Sequence, residues 1–169
     1  MRLKTRISRD NLEEVLQRVR RLTAQEVLIG IPQETTARDG DASSSPITNA
    51  EIGYINEFGS PAANIPARPH LRPGVEAALP AITRRLRAGT ISALGASPTA
   101  ADRTLTAVGF AAQNSVRSLI TATLAPPLAE ATIRRRRTRK IAPRKGEQPL
   151  IDTGVYRRSI TFVIRPREK

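Results

Sequence analysis

The sequence predicts an α+β fold in which a small mixed β-sheet packs against two or three helices. Apolar residues recur at helical spacing in three segments, and two short apolar runs have the length and composition of strands. Polar and proline-rich stretches separate these elements. The chain has 169 residues, enough for one domain with a sizeable core and too few for two, so we expect a single domain over residues 1–169.

The first and last of the three longer predicted helices carry the clearest patterns. Asp10 can cap an amphipathic helix over Asp10–Leu22, whose apolar residues form one stripe. Ser97 and Pro98 begin the longest stripe, which runs to about Thr121 and is expected to form the centre of the core. That stripe consists of Leu105, Val108, Ala112, Val116 and Leu119. Because only two Tyr and three Phe are present, the core must be largely aliphatic.

A further helix is predicted to begin at Pro73. Proline suits the first helical position, and the apolar residues after it recur at helical spacing. Pro80 removes a backbone hydrogen bond in the interior, so we expect it to bend the helix or split it in two. The stripe consists of Val75, Leu79, Ile82 and Leu86.

Two segments are predicted to be strands. Glu26–Ile31 is a short apolar run that Pro32 ends, and its composition predicts burial on both faces. Ser159–Ile164 alternates in polarity and is expected to close the sheet by pairing with Val27–Ile31. The polar stretch Gln33–Pro46, which holds three consecutive serines, is predicted to be a long flexible loop.

Residues 48–73 combine a short helix with a proline-rich arm. Thr48 can cap the helix, and Gly59 can adopt the left-handed conformation that ends it. Three prolines then make residues 65–73 a stiff, extended arm that displays its side chains. We expect Phe58 to pack in the core or against the end of the helix.

Four charged or titratable residues of this region are candidate subunit-interface residues: Glu57, Arg68, His70 and Arg72. Arg68 and Arg72 would lie on one side of the arm, where guanidinium groups suit pairing with Glu57 or Glu51 of the same or an adjacent subunit. Pairing within one subunit, which would only anchor the arm, is an equally open alternative. The ring of His70 is expected to be exposed and to contact a partner.

The basic, proline-containing segment 125–148 holds most of the excess positive charge. Residues 134–145 include eight basic residues and no acid, in a chain with net charge +13. Like charges repel, so we expect a mobile loop that becomes ordered against duplex DNA or an acidic protein surface. No aromatic is interleaved, which argues against stacking of single-stranded bases. The candidate contact residues are Arg134, Arg135, Arg136, Arg137, Arg139, Lys140, Arg144 and Lys145.

Catalytic constellations are not evident. His70 is the single histidine, cysteine is absent, and Asp39 and Asp41 lack the other oxygen ligands of a calcium loop. Asp152-Thr153-Gly154 matches an aspartic-protease tripeptide but occurs once, so Asp152 is interpreted as a turn-capping acceptor for backbone amides. We therefore expect a protein that is not an enzyme and has no cofactor or metal. The N-terminal residues show no signal peptide or membrane span.

Three separated motifs resemble the tail-completion, neck and virion-morphogenesis proteins of tailed bacteriophages. They are a helix ending in Glu57-Phe-Gly59 before the arm 65–73, the Pro-Pro-Leu segment 125–128 before the basic stretch, and Leu150-Ile-Asp-Thr-Gly154 leading through Ser159-Ile160 into a last strand.

The resemblance implies a structural virion protein at the head–tail junction, assembled in the host cytoplasm and located in the tail or neck. About six copies would form a ring that completes or terminates the tail and joins it to the head connector. The implied partners are further copies of the chain, the tail tube protein, the head–tail connector proteins and DNA in the channel. A DNA-binding or packaging-associated protein that uses residues 134–145 is the alternative.

Overall fold

A computed structural model describes residues 12–32, 47–94, 99–122, 124–140, 143 and 146–167. Its elements confirm the α+β prediction, because helices of very different lengths accompany one antiparallel pair of strands. In chain order they are α1 (Leu12–Thr23), β1 (Gln25–Gly30), α2 (Asn49–Phe58), a 3₁₀ turn (Pro61–Ala63), α3 (Leu71–Leu94), α4 (Ala100–Thr121), α5 (Glu130–Thr138), α6 (Val155–Ser159) and β2 (Thr161–Pro166).

The long helices α3 and α4 pack closely against each other in antiparallel directions. Gly74, near the start of α3, lies against Val116 near the end of α4, and Gly89 near the end of α3 lies against Thr104. A Cβ atom at Gly74 would lie 2.7 Å from the Val116 Cα atom, so the backbones approach where no side chain fits. The buried residues of α3 are accordingly all small: Gly74, Ala78, Gly89 and Ala93.

The stripe predicted for α3 is confirmed only in part. Val75 packs against the core, whereas Leu79 is half exposed and the buried residues of the helix are the small ones. The helix begins at Leu71 rather than Pro73, and it continues through Pro80 as a single element instead of splitting. The stripe predicted for α4 is confirmed, since Leu105, Val108, Ala112 and Val116 are buried. Ser97 and Pro98 lie outside the described residues.

The sheet confirms the predicted pairing of the two strands. β1 and β2 are antiparallel, with Val27 opposite Ile164 and Ile29 opposite Phe162. The ring of Phe162 packs over Gly109 of α4, which places one face of the sheet on that helix. The opposite face carries Leu28 and Val163, a cross-strand pair that remains more than one-third exposed. The prediction that β1 is buried on both faces is thus wrong.

The core is mainly aliphatic, as predicted, with one aromatic ring. Ile29, Ile31, Ile52 and Leu71 pack around it while remaining partly accessible. This core joins α4 to the segment that carries the C-terminal motif. Its buried members are Val116, Ile120, Leu124, Leu150, Tyr156 and Ile160.

The ends of the predicted segments need three corrections. α1 spans Leu12–Thr23, Asp10 lies outside the described residues, and the apolar side chains Leu12, Leu16 and Val19 of its stripe are exposed. The extended arm reaches only His70, because Leu71 already belongs to α3. The segment 125–148 contains α5 and is not a loop throughout.

The predicted flexible loop Gln33–Pro46, with Asp39 and Asp41, falls outside the described residues. Within the part of the chain that is described, no helix has the length and apolar character needed to cross a membrane.

Candidate functional site

Glu57, the last buried residue of α2, caps the N-terminus of α3. Its Oε2 atom accepts the backbone N–H groups of His70 at 2.8 Å and Leu71 at 2.9 Å, and its Oε1 atom accepts that of Arg72 at 3.1 Å. These amides have no acceptor within the helix, and the helix dipole favours a negative charge beside them. Burial raises the pKa of Glu57, but the three amides outweigh it and hold the pKa below its ordinary value. Glu57 is therefore a buried, ionised helix cap.

His70 is fully buried, and both of its ring nitrogens have partners. Nδ1 lies 2.8 Å from the carbonyl oxygen of Arg68, which can only accept, so Nδ1 carries the proton and donates it. Nε2 lies 2.5 Å from the hydroxyl of Tyr156 and accepts a hydrogen bond from it. Burial lowers the pKa of His70, against the opposing effects of the Arg68 carbonyl and Glu57, and burial raises the pKa of Tyr156. The imidazole is thus neutral near pH 7.

Arg68 anchors the arm to the Pro-Pro-Leu segment. Its Nε atom donates to the carbonyl of Pro126 at 2.8 Å, and its Nη2 atom donates to the carbonyl of Pro127 at 3.0 Å. The side chain is buried, and desolvation lowers its pKa from the ordinary value. Its predicted pairing with a carboxylate is wrong, because these acceptors are backbone carbonyls.

The C-terminal motif binds the basic segment through two arginines. Arg139 donates to both carboxylate oxygens of Asp152, at 2.9 and 2.8 Å. Arg136 donates to three backbone carbonyls at 3.0 to 3.3 Å, those of Gln148, Pro149 and Ile151. Charge-assisted and bidentate bonds of this kind fix position as well as adding stability.

The carboxylate of Asp152, for which the sequence predicts a turn-capping role, is bound by Arg139. The hydroxyl of Thr153 accepts the N–H of Val155 at 3.4 Å. The short helix α6 begins directly after this motif, at Val155.

These contacts join the three motifs into one hydrogen-bonded network, which we call the motif network: Glu57, Arg68, His70, Arg136, Arg139, Asp152 and Tyr156. α2, the arm, the Pro-Pro-Leu segment, α5 and α6 each supply at least one partner. The hydrogen bonds of this network are all internal to one subunit, so they stabilise its fold.

The candidate interface residues accordingly need correction. Glu57, Arg68 and His70 are buried within the subunit, so the prediction that the arm displays them is wrong, and the alternative of anchoring the arm is the one observed. Arg72 is the exception, with an exposed side chain that pairs with Glu76 at 2.9 Å. Glu51 is engaged in a capping box with Thr48, which confirms the predicted cap of α2.

α2 buries its polar and small residues and exposes its aromatic ones. Asn49, Gly53 and Glu57 lie on the inward face, one turn apart. Tyr54 and Phe58 lie on the outward face, each 67% exposed, with ring centroids 4.8 Å apart. The prediction that Phe58 is packed in the core or at the helix end is wrong.

The reason for this orientation is the motif network. Glu57 must face inward to reach the N-terminus of α3. Gly53 lets the hydroxyl of Tyr156 and the side chain of Ile31 come close, since a Cβ atom there would lie 3.2 and 3.1 Å from them. The two aromatic rings are left outside, beside a depression of about 380 Å³ that Ile31, Leu71 and Arg72 also line.

The basic segment is a helix whose arginines differ in environment. Arg134, Arg135 and Lys140 are exposed, whereas Arg136 and Arg139 are half-buried in the contacts described above. Arg137 donates to Glu147 at 2.6 Å on the surface. The stretch is predicted to be a loop, but residues 130–138 are helical, and Arg144 and Lys145 lie outside the described residues.

Comparisons of this chain with protein-family models, curated proteins and solved structures gave no match. In the described part of the chain, no group of three or more His, Asp or Glu side chains is placed so that it could hold a metal ion.

Proposed function

We propose that the chain is a non-enzymatic structural subunit of the head–tail junction of a tailed phage. Copies of it would assemble into a ring that completes or terminates the tail and joins it to the head connector. The order of the three motifs supports this proposal by resemblance. The observation that carries it is the orientation of α2, which leaves Tyr54 and Phe58 exposed to solvent.

Exposed aromatic residues are unusual in a chain that has so few. Of its two Tyr and three Phe, Tyr54, Phe58 and Phe110 are each more than half exposed. Aromatic side chains contribute the largest apolar area to a core, and they are enriched at protein interfaces. A subunit that leaves these rings exposed lacks the stabilisation that their burial would contribute. That stabilisation is obtained when a partner covers them.

The apolar surface is also divided between the two ends of α3. Leu71, at its first turn, borders the Tyr54–Phe58 pair, while Ile91 and Leu94 are exposed in its last turn. Twenty residues of helix span roughly 30 Å, so the two patches are far apart. A ring needs two different surfaces on each subunit, one for each neighbour, whereas a twofold dimer needs only one. Separate patches therefore favour head-to-tail assembly.

Sedimentation velocity of the purified chain over a range of concentrations tests this proposal. We expect the wild type to form a discrete oligomer, alone or with tail tube and connector proteins, and Phe58→Ser to weaken it. Leu79→Ser is the matched control, because Leu79 is half exposed in the middle of α3, away from both patches. Both variants should melt like the wild-type monomer at low concentration. A monomer in every mixture, or equal weakening by both variants, would contradict the proposal.

A further inference from the structure

The arginines of α5 form an inner and an outer group. The inner group, Arg136 with Arg139 just beyond the helix, binds the segment 148–152. The outer group, Arg134 and Arg135, is exposed, and within the described residues neither side chain makes a hydrogen bond or an ion pair. The inner arginines therefore hold α5 in place while the outer ones face solvent.

The outward face of α5 has the composition of a phosphate-binding surface. None of the buried residues of the chain belongs to α5, and its one large apolar side chain, Ile133, is half-buried. The exposed side chains are those of Glu130, Ala131, Thr132, Arg134, Arg135, Arg137 and Thr138. Protein interfaces depend on buried aromatic or apolar anchors, which this face lacks. Interfaces with nucleic acid are more polar and much more positively charged.

We propose that this face of α5, centred on Arg134 and Arg135, binds the phosphate backbone of double-stranded nucleic acid without sequence preference. The helix is ordered before binding, so little conformational entropy is lost when it meets the duplex. No aromatic residue lies on α5, so bases of a single strand would find no ring to stack on. The inference concerns the isolated subunit and does not depend on ring formation.

Fluorescence anisotropy with a labelled duplex of mixed sequence, titrated at several salt concentrations, tests the inference. Each phosphate contact contributes about 0.9 to the slope of log affinity against log salt. The double variant Arg134→Gln/Arg135→Gln should weaken binding and reduce that slope by roughly 2. The double variant Arg134→Lys/Arg135→Lys should keep most of the binding, because a lysine also neutralises a phosphate. Both changes are on the surface, and the melting temperature verifies folding.

A matched control is available on α3. Arg84→Gln/Arg87→Gln removes the same charge from two exposed arginines and should leave the slope unchanged. An equal loss of duplex affinity in this control variant would show that net charge alone determines binding, and it would overturn the inference. The absence of duplex binding at low salt would also overturn the inference. A larger loss of polyglutamate binding than of duplex binding in Arg134→Gln/Arg135→Gln would overturn it as well.

Discussion

The carboxylate of Glu57 accepts the backbone N–H of His70 at 2.8 Å and lies 3.2 Å from Nδ1 of the same residue's ring. A salt bridge would require a protonated imidazole, but burial and the hydroxyl of Tyr156 at Nε2 favour the neutral form. The negative charge is balanced instead by the amides at the start of α3. One side chain therefore joins α2 to α3, the longest helix among the described residues.

Replacing Glu57 with alanine should lower the free energy of unfolding by about 2 kcal/mol. The substitution leaves buried backbone N–H groups of His70 and Leu71 without their acceptor, and an unsatisfied buried donor costs about 1–3 kcal/mol. Urea unfolding measures the change. Glu76→Ala is the control, because Glu76 pairs with Arg72 on the surface, and it should change the free energy by less than about 0.5 kcal/mol. Equal effects of the two variants would show that Glu57 is not a helix cap.

Tyr156→Phe should also destabilise the fold, by about 1–3 kcal/mol. The change keeps the ring but removes the hydroxyl that donates to Nε2 of buried His70. Tyr54→Phe is chemically the same change on an exposed ring, and surface changes of this kind stay within about 0.5 kcal/mol. Thermal unfolding of the two variants side by side is the measurement. A smaller effect at Tyr156 than at Tyr54 would argue against the His70–Tyr156 hydrogen bond.

Stability should decrease as the pH falls below neutrality. His70 has a folded pKa below its ordinary 6.5, so the unfolded chain binds the proton more readily. The contribution of His70 is complete above pH 6.5 and is lost as the pH falls through the folded pKa. The contribution of Glu57 to stability also decreases as the pH falls, but at lower pH, because its folded pKa is also below the ordinary value of 4.5. Unfolding free energies between pH 8 and pH 2 should show both declines.

Because the chain has one histidine, proton NMR reports the imidazole titration directly. We expect a midpoint below 6.5 in the folded protein. A midpoint at or above that value would mean that the ring is solvated or paired in its charged form.

Adding a methyl group at Gly89 should disrupt the crossing of α3 and α4. A Cβ atom there would overlap the side chain of Thr104, and overpacking of a rigid contact costs about 1–3 kcal/mol. Gly30→Ala is the control, since no atom lies within 4 Å of a Cβ placed at that strand position. Chemical denaturation of both variants distinguishes steric overlap from the general effect of replacing glycine. Thr104→Gly in the Gly89→Ala background removes the overlap and should recover part of the stability, whereas Thr104→Ala leaves the two Cβ atoms 2.6 Å apart and should not.

Elements defined by local pattern could be predicted from the sequence. Thr48 and Glu51 lie at the spacing of a capping box, and the capping box forms. The stripe from Leu105 to Val116 identifies the buried face of α4, and the alternating strand pairs as expected. Each of these depends on residues that are close in sequence or on one long periodic run.

The orientation of α2 could not be predicted in this way. Periodicity rules assume that the apolar face of a helix is the buried one, which makes Phe58 inward-facing. The inward face is decided instead by partners far along the chain, namely the amides at the start of α3 for Glu57 and the hydroxyl of Tyr156 near Gly53. The inward face holds Asn49, Gly53 and Glu57. It can be recognised as the inward one only once those partners are known.

The contacts of the arm and of the basic segment could not be predicted for a related reason. Proline spacing predicts extended backbone correctly but does not show that Arg68 finds carbonyl acceptors at Pro126 and Pro127. In the same way, repulsion within the arginine run is offset by acceptors at residues 148–152, more than ten positions away. Backbone carbonyls have no sequence signature, so arginines that bind them look free in a sequence.

Native mass spectrometry of the wild-type chain, alone and mixed with tail tube and connector proteins, tests the assignment most directly. We expect one discrete closed oligomer of about six copies, formed by the chain alone or on addition of a partner, and its loss in the Phe58→Ser variant. A chain that remains monomeric at high concentration in every mixture would contradict the proposed role at the head–tail junction.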